Sequence, residues 1–172
     1  MSGTLVVDNI RNSANTVNFP VSYFKRRLVQ KLTRRYPGGA WNPSNTYWEI
    51  PGSFLGITPQ YDNSYIIYTY SGPLSHINGW SAHCITHWIF YAYGNEQCRF
   101  SRSVDHIENN AIFRWQIPSE GAGKACNAGF YARQYSNGNH GAHFNARRYR
   151  DGSNVSGELV GAYISMEEYV ST

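Results

Sequence analysis

Residues 80–100 read WSAHCITHWIFYAYGNEQCRF, and this stretch decides the fold. One parity of the stretch carries Ala82, Cys84, Thr86, Trp88, Phe90 and Ala92, and the other carries His83, Ile85, His87, Ile89, Tyr91 and Tyr93. Strict alternation of apolar and polar residues is typical of a half-buried strand, whereas both parities here are largely apolar or aromatic. A strand that is apolar on both faces needs cover on both faces. We therefore predict an antiparallel sandwich in which a second subunit covers the outer face.

The pair Gly94-Asn95 predicts a two-residue hairpin turn, because both residues tolerate positive φ. The returning arm, Glu96 to Arg102, is more polar. In that register Cys84 lies about 23 Å from Cys98, at ~3.3 Å per residue, far beyond the ~7 Å limit for a disulfide. We predict that these two cysteines and Cys126 are free, mostly buried thiols.

The composition bounds the class of protein. A chain of 172 residues fits a single domain that buries roughly 70% of its unfolded surface. Aromatic residues at 16% and charged residues at only 15% favour β architecture and binding surfaces over disorder. No apolar run approaches the ~20 residues of a membrane helix. The start, MSGTLVVDNIRNS, lacks a basic segment followed by an apolar run, so we expect no signal peptide.

Turn signals divide the rest of the chain into short apolar runs. The predicted strands are residues 4–10, 47–57, 64–70, the central hairpin, 111–117, 125–135, 142–149 and 158–169. About eight strands at this spacing predict an all-β fold, an antiparallel β-sandwich of jelly-roll type. Residues 1–26 are predicted as an extended N-terminal arm and residues 27–172 as the head domain.

Residues 24–36 fit two kinds of element equally well. Phe24, Leu28, Leu32 and Tyr36 recur every four residues, as in an amphipathic helix. The alternation of Leu28, Gln30 and Leu32 fits a strand, and periodicity alone does not decide between them.

The same segment concentrates positive charge. Its six basic residues are Lys25, Arg26, Arg27, Lys31, Arg34 and Arg35. Such a block could bind phosphate backbones or anionic glycans. With no nucleic-acid motif nearby, we interpret it as a solvated surface segment and expect no nucleic-acid partner.

The histidines do not predict a metal site. His83 and His87 share a strand face but lie ~13 Å apart, whereas the ligands of one zinc lie within ~2.1 Å of it. His140 and His143 could approach a metal only with partners from elsewhere, or on a trimer axis. We therefore predict no metal and no cofactor.

Catalytic patterns are equally weak. Asp105 and Glu108 fall in a polar turn, and Glu167 and Glu168 point to opposite faces of a strand. The sequence has no nucleophile elbow, phosphate-binding glycine loop or Cys–His signature. We expect a protein that is not an enzyme; a glycan hydrolase using Asp105, Glu108 or Glu120 is the alternative.

Aromatic residues beside polar loop residues give the positive signal. Sugar rings stack on aromatic faces while Asn and Asp bond their hydroxyl groups. The candidate glycan-binding residues are Trp41, Asn42, Tyr61, Asp62, His76, Asn78, Trp80, Tyr135 and Asn137. The alternative is that such aromatic residues belong to the rim of the core.

Several segments resemble a known group of proteins. The opening SGTLVVDNI with TVNFP resembles the amino terminus of tail-fibre and other virion appendage proteins of marine phages and cyanophages. The run ITP at 57–59, then NSYIIYTYSG and the hairpin, is similar to their carboxy-terminal β-sandwich, as is the close FNARRYRDGSNVSGELVGAYISMEEY. The resemblance implies a non-enzymatic virion protein with a jelly-roll head, assembled in the host bacterial cytoplasm as a homotrimer.

The resemblance also implies roles for residues. Leu5, Val7 and Ile10 would attach the arm to other virion proteins. Ile85, His87, Ile89 and Tyr91 would form the trimer interface, and the loops would face a host cell-surface polysaccharide or receptor. The expected function is a trimeric tail fibre or receptor-binding appendage; the alternatives are a capsid-surface fibre, a decoration protein or a free-standing lectin-like domain.

Overall fold

The computed structural model describes residues 9–11, 18–20, 26–36, 46–76, 84–104, 109–134, 142–144 and 162–171. All the regular structure in these residues is β-strand, and all the strand pairs are antiparallel. The strands are β1 (Asn9–Arg11), β2 (Asn18–Pro20), β3 (Arg26–Arg35), β4 (Trp48–Glu49), β5 (Leu55–Ile57), β6 (Ser64–His76), β7 (Cys84–Ala92), β8 (Asn95–Val104), β9 (Asn109–Pro118), β10 (Cys126–Gln134), β11 (Ala142–Phe144) and β12 (Tyr163–Ser171). The predicted all-β class is confirmed. Within the same residues, no helix has the length and apolarity needed to cross a membrane.

The strands form two five-stranded sheets and one small hairpin. In the first sheet the order is β3-β12-β6-β9, with β11 pairing the far end of β6. In the second sheet the order is β4-β10-β7-β8, and β5 pairs β10 next to β4. The strands β1 and β2 pair with each other.

The strand order is that of a jelly roll. If β4 and β5 count as one interrupted strand, the eight main strands in chain order give sheets 1-8-3-6 and 2-7-4-5. The first strand thus pairs with the last, the second with the seventh, and so on inward to the hairpin of β7 and β8. This nesting is the double Greek key of the jelly roll, so the predicted fold type is confirmed.

Aromatic rings from both sheets fill the core. Phe130 of β10 lies at the centre: its ring centroid is 5.4 Å from that of Trp88 and 5.0 Å from that of Phe90, both on β7. From the opposite sheet, the rings of Tyr70 and Phe113 lie 5.8 and 4.6 Å from it. The parity of β7 that carries Thr86, Trp88 and Phe90 therefore faces the core, opposite the residues predicted for the trimer interface.

The hairpin turn lies one residue earlier than predicted. Ala92 pairs with Asn95, so the turn residues are Tyr93 and Gly94, with φ angles of 52° and 75°. Positive φ at both positions is typical of a type I′ turn. Tyr93 is held in this conformation because its N–H donates to the carbonyl oxygen of Asn127 at 3.2 Å. The prediction of Gly94-Asn95 was wrong, since tertiary contacts fix Tyr93 in the left-handed region.

The corrected register still separates the cysteines. Cys84 pairs with Val104, and Cys98 pairs with Phe90 on the opposite strand. Cys98 and Cys126 are free, and burial raises the pKa of the Cys126 thiol to about 11. The side chain of Cys84 lies outside the described residues.

Residues 26–35 form a strand rather than a helix. β3 pairs with β12 along its length, with a register shift opposite Glu168 and Tyr169. It is the edge strand of the first sheet. Leu28 and Leu32 are 47% and 41% exposed, which explains why their spacing gave no clear signal.

β6 is longer than predicted. It continues to His76 through Gly72 and Pro73, where the sequence predicted a stop. Pro73 lies beyond the pairing with β12, which ends at Ser71. Its missing N–H therefore removes no bond from that ladder.

Candidate functional site

A tight turn interrupts the predicted strand 47–57. In Ile50-Pro51-Gly52-Ser53, the Ser53 N–H donates to the Ile50 carbonyl oxygen at 2.9 Å. Gly52 has a φ of 74°, and proline followed by a residue with positive φ is typical of a type II turn. A β-carbon on Gly52 would overlap the ring of Tyr36. The turn therefore needs glycine here for two independent reasons.

Ser53 fixes this turn to the core. Its hydroxyl donates to the carbonyl oxygen of Phe130 at 3.2 Å and accepts from the Phe130 N–H at 3.0 Å. Its carbonyl oxygen accepts from the Tyr68 hydroxyl at 2.7 Å. Ser53 is fully buried, so these bonds form away from water, where leaving them unmade is costly. They position the next residue, Phe54.

Phe54 lies on the outer face of the second sheet, above Gly129 of β10. A β-carbon on Gly129 would lie 2.5 Å from the Phe54 ring. The glycine therefore leaves room for the ring to lie against the strand. The Phe54 ring also meets the Tyr131 ring edge-on, with centroids 5.5 Å apart.

Tyr91 completes a group of three rings. Its centroid lies 5.1 Å from that of Tyr131, at an interplanar angle of 69°. The three rings, with Gly94 and Asn127, line a cleft of about 350 Å³. We call this set of five residues the aromatic cleft. Its volume falls within the roughly 300–1,000 Å³ of small-molecule sites.

Asn127 supplies an amide to the cleft. The residue is exposed, and its side chain makes no hydrogen bond with the part of the chain that the structure describes. An amide both donates and accepts. Next to three apolar ring surfaces, it gives the cleft the mixed character that a sugar requires.

Beside the cleft, Tyr47 lies between an arginine of β10 and an arginine of β8. The Arg133 guanidinium carbon lies 5.0 Å from the centroid of the Tyr47 ring, and that of Arg99 lies 5.8 Å from it. Ile89 pairs with Tyr131 of β10 and with Arg99 of β8, and it is only 4% exposed. One chain alone therefore buries Ile89.

The other residues predicted for the trimer interface differ in exposure. Ile85 is 39% exposed, whereas Tyr91 lines the aromatic cleft. His87 is half-buried, and its Nδ1 lies 2.7 Å from the Ser101 hydroxyl. Burial, and then the charge of Arg133, lower the pKa of His87. The trimer interface stays a prediction.

Two of the predicted glycan-binding residues are described with their side chains. Tyr61 is 39% exposed, and its hydroxyl accepts from the Arg27 guanidinium at 2.8 Å. The Asp62 carboxylate accepts from the Ala122 N–H at 2.9 Å and so holds the neighbouring loop. His76 ends β6, but its side chain is outside the described part. So are Trp41, Asn42, Asn78, Trp80, Tyr135 and Asn137.

Most of the residues predicted for particle attachment, metal binding or catalysis lie outside the described part of the chain. Ile10 pairs with Phe19 in the hairpin of β1 and β2. Leu5 and Val7 lie outside the described residues, as do His83, His140, Asp105 and Glu108. In the part that is described, no three His, Cys, Asp or Glu side chains come together as metal ligands.

Sequence reasoning missed Phe54, Asn127 and Tyr131. Two signals in the sequence pointed to them. Pro51-Gly52 predicts a type II turn that would break the strand, and a glycine at position 129 inside an aromatic strand marks a close approach. Only the fold brings the turn and Gly129 together, because the turn and β10 are far apart in the chain.

Comparisons with known proteins are distant. No family model and no curated protein matches the sequence. Among solved structures, the chain is similar to the CBM36-1 domain of a multidomain xylanase from the hindgut metagenome of Trinervitermes trinervoides, with a TM-score of 0.34 and 9% identity over 80% of this chain and 96% of that one. It is also similar to the infectious bursal disease virus VP2 subviral particle, with a TM-score of 0.31 and 12% identity over 86% of this chain. The Gt strain of that virus gives a TM-score of 0.35 and 10% identity over 85%.

The chain spans 33% and 38% of the two viral chains. At these TM-scores and identities the similarities carry no argument about function. The fold rests on the strand order, and the site rests on the geometry of the aromatic cleft.

Proposed function

We propose that this chain is a glycan-binding jelly-roll domain of a phage virion appendage, a tail fibre or receptor-binding protein that contacts host surface polysaccharide. One observation carries the binding activity: the turn at 50–53 and Gly129 position Phe54 beside Tyr91 and Tyr131. These rings form an apolar wall, and Asn127 offers an amide for hydroxyl groups.

The cleft is suited to binding a sugar without transforming it. Its lining consists of aromatic rings, one glycine and one amide. Such groups stack and hydrogen-bond, and the described lining includes no carboxylate, imidazole or thiol. We therefore propose a binding protein rather than a hydrolase.

The virion assignment has a separate basis. It rests on the sequence segments that resemble tail-fibre and appendage proteins of marine phages, together with the predicted trimer. The alternatives are a capsid-surface fibre or decoration protein, and a free-standing lectin-like domain with the same cleft. Labelling the purified particle with an antibody against this chain separates the virion roles from the free-standing domain.

The binding proposal is tested by titrating the full chain with a panel of bacterial surface polysaccharides. For a polysaccharide that binds, we expect Tyr131→Ala to weaken affinity at least tenfold, corresponding to about 1.4 kcal/mol. Asn127→Ala should weaken it several-fold with the unfolding temperature unchanged, because this side chain is exposed. The matched control is Tyr163→Ala, an exposed tyrosine of β12 outside the cleft. Tyr61→Ala tests the loop that the sequence predicted.

The variants distinguish two sites. If Tyr61→Ala removes binding and Tyr131→Ala does not, the glycan site lies at the loop predicted from the sequence. If the panel gives no binding at all, the glycan-binding function is wrong.

A further inference from the structure

β3 presents positive charge along the edge of the first sheet. Its basic residues are Arg26, Arg27, Lys31, Arg34 and Arg35. Of these, Lys31 forms an ion pair with Glu167 at 2.5 Å. No ion pair to an acid is found for the four arginines within the described residues.

Two of the arginines instead lie on tyrosine rings. The Arg26 guanidinium is 5.7 Å from the centroid of Tyr65, and that of Arg27 is 5.4 Å from the centroid of Tyr61. These contacts hold the side chains in place without neutralising them, because an aromatic ring carries no net charge. The positive charge therefore remains available to a ligand.

The arginines adjoin the aromatic cleft. Arg34 donates from Nη1 to the carbonyl oxygen of Phe54 at 3.1 Å, and Phe54 lines the cleft. Arg27 reaches Tyr61, so both side chains lie against the same segment, residues 54–61. Seven residues along a strand separate them, a distance of about 23 Å.

The nearest carboxylates of β12 are already engaged. Glu167 binds Lys31 and also accepts from the Tyr169 hydroxyl at 2.8 Å. Glu168 is fully buried and accepts from Gln30 and from the backbone N–H of Gln60. Among the described residues, neither forms an ion pair with Arg27 or Arg34.

We propose that the polysaccharide bound at the cleft is anionic and continues along β3, with its acidic groups on Arg34 and Arg27. This inference rests on the proposed glycan-binding function and adds the charge class and the direction of the ligand. Guanidinium groups bind carboxylate, sulfate and phosphate in planar, bidentate geometry. The distance along β3 from Arg27 to Arg34 is about the length of several linked sugar units.

Charged residues on an edge strand also prevent two sheets from pairing edge to edge. That role needs charge only, at any position along the strand. A binding role needs Arg27 and Arg34 in particular and makes affinity depend on salt. The two roles therefore predict different outcomes for the same variants.

The test compares three polymers that share one backbone: dextran, carboxymethyl-dextran and dextran sulfate. We expect the full chain to bind at least one charged polymer at least tenfold more tightly than dextran. The double variant Arg27→Gln with Arg34→Gln should lose at least tenfold in this affinity. The slope of the logarithm of affinity against the logarithm of salt concentration should fall by about two, one for each contact removed.

The matched control is Arg114→Gln with Lys124→Gln, which removes the same net charge at exposed positions outside β3. It should change the affinity less than twofold. Arg34→Lys keeps the charge but loses the planar, bidentate geometry, so it should bind more weakly than the wild type and more tightly than Arg34→Gln. An unchanged unfolding temperature in these variants excludes an effect through folding. Which charged polymer binds distinguishes carboxylate from sulfate recognition.

Four results overturn the inference. They are equal binding of dextran and the charged polymers, no binding of either charged polymer, an equal loss in the control variant, and binding of duplex DNA as tight as that of dextran sulfate. The polysaccharide panel tests the proposed glycan-binding function separately from the charge of the ligand. If a neutral glycan of the panel binds at the cleft, the proposed function stands while the anionic ligand is wrong.

Discussion

Glu168 is a buried carboxylate, and its hydrogen bonds decide its charge. Burial by itself raises the pKa of a carboxyl group. Hydrogen bonds from Gln30 and Ser64, and from the backbone of Gln60 and Tyr61, outweigh burial and lower the pKa of Glu168 below its ordinary value of 4.5. The ionised side chain thus ties β12 to the segment that leads into β6.

We expect Glu168→Gln to lower the free energy of unfolding by about 2–3 kcal/mol at neutral pH, because one acceptor becomes a donor that faces N–H groups. The wild-type contribution is present above pH 4.5 and is lost as the pH falls through the lower, folded pKa. Urea unfolding at neutral and acid pH measures both effects. The variant should lose less stability on acidification than the wild type.

The control for this prediction is Glu120→Gln, an exposed carboxylate. It should leave the free energy of unfolding within about 0.5 kcal/mol of the wild type. An acid dependence that is identical in Glu168→Gln and the wild type would contradict the role of Glu168.

At the scale of single elements, local patterns predicted much of the fold. Both parities of residues 84–92 are apolar, but assigning Ile85, Ile89 and Tyr91 to the interface left Trp88 and Phe90 for the core. The structure buries both rings there. The predicted position of the turn after β7 was wrong by one residue. The turn is fixed by the hydrogen bond from the Tyr93 N–H to Asn127 of β10, a strand distant in sequence. The residues at 26–35 gave no clear period, since an edge strand buries neither face fully.

The aromatic cleft could not be predicted for the same reason. The turn at 50–53 and the glycine at 129 were both readable as local breaks in a strand. That Phe54 lies on Gly129 follows from the bonds between Ser53 and Phe130, which join distant parts of the chain. Local propensity contains no information about such pairs.

This contact between elements gives a direct prediction. Gly129→Ala places a methyl group 2.5 Å from the Phe54 ring. We expect Phe54 to be displaced, at a cost of about 1–3 kcal/mol in stability from overpacking, and glycan affinity to fall at least tenfold. Thermal unfolding and polysaccharide titration measure the two effects.

Gly56→Ala is the matched control for this substitution. Gly56 also lies on a strand paired with β10, but the nearest atoms to a new β-carbon there are 3.8 Å away. That is ordinary contact, so stability and binding should change little. Equal affinities of Gly129→Ala and the wild type would show that Phe54 is not part of the site.

At the scale of the whole molecule, the nested strand order places the hairpin of β7 and β8 at one edge of the second sheet. The sequence predicted that a second subunit must cover its outer face. The structure divides that face: Ile89 is buried within the chain and Tyr91 lines the cleft, whereas Ile85 is exposed. Ile85 and Tyr91 are six residues apart, about 20 Å along the strand. An interface at one end and a glycan site at the other are therefore compatible.

The oligomer is best tested at Ile85. A wild-type trimer would have a mass of about 59 kDa, three times the 19.6 kDa chain. In that case Ile85→Arg should give monomers with little loss of stability, because the new arginine would be buried without a partner only in the interface. Ile89→Arg is a poor test, since this residue is buried within a single chain. The matched control is Ile112→Arg on the other sheet, where isoleucine is 68% exposed. Light scattering coupled to size exclusion measures the mass: a monomeric wild type, or a trimer that persists in Ile85→Arg, would show that this end of β7 faces solvent.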